Sequence, residues 1–251
     1  MARTSLAWLI LALLTSGMAA RAGGFDRDTL LTDAPAVAER GTVRVTGGGT
    51  GQSKADGGNG TTGAVTGSIQ WAPLEGLAAD VGGYYQAGDS GPSARVRYQF
   101  LKQAVAGIDL SGGIRFKSYS FQRAAGGADH GEVELLVAAG RRFGQWDLVV
   151  NGVFGVELGG GAGKDLELKT FGGYRFTDAV RAGVDFRIQV EAGDAEGAVA
   201  NPGRDFDLTT GPAISWLVTK NIQLQALVGA AAPKRQNVTV PVGVLSASID
   251  F

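Results

Sequence analysis

From Gly41 to Phe251 apolar and polar residues alternate in blocks of about ten, the period of strands whose two faces meet different surroundings. VRAGVDFRIQVE, residues 180–191, puts Val180, Ala182, Val184, Phe186, Ile188 and Val190 on one face. Arg181, Asp185, Arg187, Gln189 and Glu191 fall on the other. IDLSGGIRFK, WDLVVNGVFGVEL, ARVRYQF and NIQLQALV repeat the pattern. About twelve such segments are predicted, at 41–50, 63–72, 77–87, 93–101, 106–119, 131–143, 145–158, 165–176, 179–192, 203–218, 221–232 and 238–251. No helical period is sustained between them, and residues 23–40 carry neither pattern.

The links between segments alternate in length. APLEG, LKQAVAG, FGQ, TDA and TKN are tight, whereas GQSKADGGNGTT, FQRAAGGADHG and AGDAEGAVANPG are long and rich in Gly, Asp and Asn. A meander with short turns at one end and long loops at the other has the layout of a transmembrane β-barrel, with both termini at the short-turn end. Predicted strands of this length exceed the ~5–6 residues usual in globular sheets and match the ~9–11 tilted residues that cross a bilayer. In a soluble barrel or sandwich the apolar face would fill a dry core; in a membrane it faces lipid and the charges face the lumen. Trp71, Trp146, Trp216, Phe100, Phe143, Tyr174, Phe176 and Phe251 gather near the short turns, as an interfacial aromatic girdle would. The expected fold is all-β, an antiparallel up-and-down transmembrane β-barrel of about 12 strands over 41–251, with 10 or 14 as alternatives.

The N-terminal stretch MARTSLAWLILALLTSGMAARAGG has a positive charge at Arg3, an apolar run from Leu6 to Leu14 and an Ala20-Arg21-Ala22 site. A secretory signal peptide is expected over 1–22, followed by a periplasmic lead over 23–40. The chain has no cysteine, so backbone pairing and burial must hold it together. A net charge of -1 gives no reason to expect a nucleic-acid partner.

The final residues, GVLSASIDF, set Gly243, Leu245, Ala247, Ile249 and Phe251 on one face and end on an aromatic. This resembles the C-terminal signal of Gram-negative outer-membrane β-barrel proteins of porin-like kind, and no more specific family motif accompanies it. The resemblance implies recognition by the barrel-assembly machinery through Leu245, Ile249 and Phe251, and residence in the outer membrane with lipid around the wall. A monomer is expected. One departure is VTVPVGV, where apolar parity blurs and Pro241 removes a ladder donor, so a bulge or irregular last strand is expected there.

The inward charges are the main functional candidates. Arg95, Arg97, Arg115, Lys117, Lys169, Arg175, Arg181 and Arg187 are expected to line the lumen, with Asp109, Asp147, Glu157, Glu167, Asp185, Glu191, Asp205 and Asp207 against them. This near balance argues against a dedicated cation or anion sieve and suits either a mixed-charge passage or salt-bridge networks filling the lumen. Twelve tilted strands give a backbone diameter of roughly 24 Å. Inward glycines at 82, 113, 140, 155, 183 and 229 are expected to leave room inside.

Other chemistry is thin. His130 with Ser118 or Ser120 could form a hydrolytic pair at the outer rim, although such residues are ordinary in a polar loop. GGGAGKD at 159–165 lacks the spacing and the hydroxyl of a phosphate-binding loop. No cofactor or metal is expected, and no enzymatic activity. The sequence suggests passive passage of small polar solutes; the alternatives are a non-conducting barrel that binds ligands or cell-surface partners, and a hydrolase using His130.

Overall fold

The computed structural model describes residues 25–53, 61–86, 89–118, 131–158, 163–192, 205–234 and 237–251. Their strands are β1 (Val43–Ser53), β2 (Thr61–Leu74), β3 (Leu77–Gln86), β4 (Asp89–Leu101), β5 (Asp109–Ser118), β6 (Gly131–Phe143), β7 (Trp146–Leu158), β8 (Lys164–Arg175), β9 (Val180–Glu191), β10 (Phe206–Leu217), β11 (Ile222–Ala232) and β12 (Val240–Asp250). Each pairs antiparallel with its neighbour in sequence, and β12 pairs with β1 from Arg44↔Asp250 to Gln52↔Val242, closing the barrel. Closure leaves no open sheet edge, which a lipid-embedded sheet requires. Phe251 also exchanges backbone hydrogen bonds with Val43, so the last residue lies at the short-turn end beside the first strand.

The outward face settles which solvent surrounds the barrel. Large apolar side chains are exposed on every strand: Val96, Ile114 and Leu135 are each more than half exposed and lie side by side across β4, β5 and β6. Water would penalise such a continuous belt; lipid accepts it. At the short-turn end Trp146, Tyr174 and Phe176 stack edge to face with centroids 5.1 Å apart at each step, and Tyr98 and Phe100 do so at 5.3 Å. No helix is long and apolar enough to cross a membrane among the described residues.

Two details differ from the sequence reading. The link LKQAVAG contains one helical turn, α1 (Gln103–Ala106), ended by Gly107 at φ 78°, a left-handed conformation that glycine adopts without steric cost. The irregularity expected at Pro241 is absent, and β12 keeps continuous register with both neighbours. Pairing with β1 stops at Val242, so Pro241 lies just past that ladder, where a proline disturbs least. Register shifts occur instead near the short turns, between Trp71 and Leu74 and between Gln99 and Leu101.

The largest correction concerns residues 23–40. From Phe25 to Ala38 the chain runs inside the barrel, and none of these residues is exposed; Glu39, Arg40 and Gly41 emerge before β1. The expected periplasmic lead is a lumenal plug. The signal peptide expected over 1–22 lies outside the described residues.

Candidate functional site

The site is the lumen, and it has two chemically distinct walls. Inward positions of β7, β8, β10, β11 and β12 carry Val149, Phe171, Ala213, Leu227, Val240, Val242 and Val244, which form a buried apolar cluster with Phe25; Leu30, Leu31 and Ala36 of the plug pack against it. The inward faces of β3 to β6, with parts of β7, β8 and β9, carry most of the charges. The plug matches both walls, setting leucines against the apolar side and carboxylates against the cations.

Three carboxylates, Asp28 and Asp33 of the plug and Asp185 of the wall, anchor it. Asp33 accepts hydrogen bonds from Arg95 and, at 3.1 Å, from Lys169 Nζ. Its backbone N–H donates to Asn151 Oδ1 at 2.7 Å, and Asn151 Nδ2 returns a bond to the Asp33 carbonyl at 3.0 Å. Asp28 receives Arg95 Nη2 at 2.8 Å and Arg97 Nη1 at 3.0 Å, while Arg97 also donates to the Ala34 carbonyl. Asp185, expected to line a passage, is fully buried and accepts from Thr29 Oγ1 at 2.7 Å, Leu31 N at 3.0 Å and Thr32 Oγ1 at 2.6 Å.

Burial would raise the Asp28 carboxyl, but the Arg95 and Arg97 guanidiniums outweigh it and hold it at about 2, against 3.8 for a free carboxyl. Asp33 is likewise desolvated, and Lys169 and Arg95 hold it well below the usual carboxylate range. Both groups are therefore anions at neutral pH.

The other predicted charges mostly neutralise one another along the wall. Arg115 pairs with Glu134, Lys117 with Glu132 and Glu134, and Arg187 with Glu167 and, at 3.7 Å, Asp207. Asp147 gathers Arg142, Arg175 and Arg181, each at 3.3 Å, near the short-turn end. Some predicted residues lie at the margins. Asp109 accepts from Gln99 and the Gln103 N–H and fixes the α1 turn. Glu157 accepts from Gly163 N–H in its own hairpin, Glu191 pairs with Lys234, and Asp205 is exposed just before β10.

Of the six inward glycines only Gly82 borders the main cavity, and the others do not open space onto it. A Cβ on Gly82, Gly183 or Gly229 would strike the neighbouring strand's backbone, so these residues permit close backbone approach. At Gly140 it would lie 2.5 Å from Pro35 Cγ and 2.9 Å from Phe25 Cε1, so the room there is filled by the plug. The remaining volume lies beside the plug. A cavity of about 460 Å³ is lined by Asp28, Asp33, Arg95, Arg115, Lys117 and Lys169 on one side and by Thr46, Thr50, Thr66 and Ser68 of β1 and β2 on the other. A smaller one of about 70 Å³ shares Asp28, Thr46, Ser68, Asp80 and Arg95 with it and reaches towards Arg44 and Ser248.

Of the hydrolytic pair, His130 and Ser120 lie outside the described residues, and the Ser118 carbonyl accepts from Tyr84 OH at 3.0 Å. Among the described residues no group of acidic, histidine or cysteine side chains could hold a metal ion.

A closed antiparallel barrel with an apolar outer belt, an aromatic girdle and a polar interior is a transmembrane β-barrel of the outer-membrane type. Three solved structures share the architecture. An outer membrane channel from Pseudomonas putida F1 aligns with TM-score 0.62 at 12% identity, over 86% of this chain and 97% of that one. The NanC porin aligns with TM-score 0.57 at 9% identity over 82% and 98%, and the KdgM porin with 0.54 at 13% over 83% and 99%. The likeness is one of fold. The sequence matches no described protein family and no curated protein.

Proposed function

We propose that this protein is a porin-like channel of the Gram-negative outer membrane, passing small polar solutes passively, with an N-terminal plug that narrows the lumen. The observation that carries this reading is the cavity of about 460 Å³ beside the plug and the smaller one next to it, since conduction needs a wet, polar-lined path along the lumen. The reading also takes the barrel as a monomer surrounded by outer-membrane lipid, assembled through Leu245, Ile249 and Phe251. The filled lumen favours a second reading, a non-conducting barrel that binds partners through its loops. Refolded full-length protein in a planar bilayer should show discrete, small conductance steps. A bilayer that stays silent with both the full-length and a plug-free chain would leave only the second reading.

Acid should open the channel. Asp28 and Asp33 have carboxyls depressed by docking, so their contribution to docking is complete above about pH 4 and is lost as pH falls through the docked values. The conductance of the full-length protein should be flat between about pH 8 and 5 and rise below about 4, as the two carboxylates protonate. A plug-free chain should lack that rise, and the same acid response in both forms would place its origin in the wall.

A further inference from the structure

The Asp33 contacts have the form of a ligand site occupied by the protein's own chain. Lys169 and Arg95 grip the carboxylate while Asn151, itself fully buried, bonds the N–H and the C=O of the same residue, which belong to the two amides flanking it. These groups come from three strands, β4, β7 and β8, and converge on one residue. Two further features separate this from ordinary packing. First, the wall can keep its charge pairs without the plug: Arg95 still has Asp80 at 3.0 Å and Lys169 still has Glu167 at 3.5 Å. A site whose cations are already partnered does not collapse or repel itself when the plug leaves, since breaking a buried pair outright is what costs most. Second, Asp33, Arg95 and Lys169 border the cavity of about 460 Å³, so a solute there can reach the site.

We propose that residues 25–38 act as a displaceable internal ligand, and that the site formed by Arg95, Lys169 and Asn151 takes small acidic solutes carrying an amide next to the carboxylate, such as acidic peptides. The inference rests on the lumen being a passage. An entering solute of this kind makes the charge-assisted bonds of Asp33 and the paired amide bonds to Asn151 in its place. A neutral isostere keeps the amide bonds and loses both ionic contacts, which makes it a close control.

The test uses a chain lacking residues 25–38, refolded, checked for heat-modifiable gel migration and recorded in planar bilayers. N-acetyl-aspartate N-methylamide should interrupt the current in a concentration-dependent way, at least about tenfold more potently than N-acetyl-asparagine N-methylamide, as expected if one to two kcal/mol rest on the charge-assisted bonds. Lys169→Gln in the same background should remove most of that difference, whereas Asn151→Ala should weaken both compounds and leave their ratio in place. In the full-length protein Asp33→Asn should lengthen open times, because the plug then holds only by its amide and apolar contacts. Equal potency of the acid and its isostere in a conducting channel would overturn the proposal while leaving the channel reading intact. A folded plug-free barrel that conducts nothing would overturn the channel reading itself.

Discussion

Ile114→Arg should lower the stability of the membrane-inserted barrel by ~2–4 kcal/mol, the cost of a cationic side chain near the midplane of a lipid-facing barrel wall. Ile114 is near the middle of β5, 55% exposed, and lies between Val96 and Leu135 in the cross-strand register. No carboxylate faces outward at those positions, so the guanidinium could only snorkel past neighbouring aliphatics or thin the bilayer. Urea titration of protein refolded into vesicles would measure the loss. A soluble sandwich gives the opposite expectation, because an exposed isoleucine there could become arginine at almost no cost. An unchanged midpoint would therefore contradict the membrane assignment of this face.

Removal of residues 25–38 should raise single-channel conductance severalfold while leaving the barrel folded. The plug occupies the lumen between the apolar wall around Leu227 and Val244 and the charged wall around Arg95 and Lys169, so in the proposed channel the current is confined to the space beside it. Deletion joins that space to the plug's own volume. The barrel should persist because its twelve-strand ladder closes without the plug and the main wall cations have wall carboxylates. Arg97 is the exception: among the described residues its ion pair is with Asp28 of the plug. Its charge should become solvated in the widened lumen, with a moderate loss of stability. Conductance unaltered by the deletion, in a barrel that keeps its heat-modifiable migration, would show that the plug does not limit the passage.

The strands were legible because lipid and water impose a strict period of two. That period set their number, the inward direction of Arg181, Asp185 and Arg187, and the outward one of Val184 and Ile214, which are 54% and 47% exposed. The plug was not legible from its own residues. FDRDTLLTDAPAVA has no period, since its conformation is dictated by the cavity it fills, and its polar backbone is satisfied by Asn151, Asp185 and Gln99 rather than by a ladder. A signal did exist in its partners. Val149, Phe171, Leu227, Val240, Val242 and Val244 sit at inward parity, where a purely aqueous lumen would not favour apolar side chains. The blurred alternation around Pro241, which suggested an irregular strand, marks the apolar wall that receives Leu30 and Leu31. Likewise Gly140 read as spare room, and it is instead a place where Phe25 and Pro35 of the plug fill the space a side chain would take.

Occupancy of the lumen by residues 25–38, and its control of the passage, can be tested with one reversible lock. The chain has no cysteine, and a Cβ built at Gly140 meets the Pro35 ring, so Pro35→Cys with Gly140→Cys sets one cysteine of the plug beside one of the wall, with the Phe25 ring, 2.9 Å from that Cβ, shifting to admit it. Current through one bilayer would be followed before and after adding a reducing agent. At about pH 3, where the docking carboxylates begin to lose their hold, a small, steady conductance in the oxidised state that steps up on reduction, as the plug is freed to leave, is the predicted result. Equal currents before and after reduction, with disulfide formation and cleavage verified by thiol labelling, would contradict it.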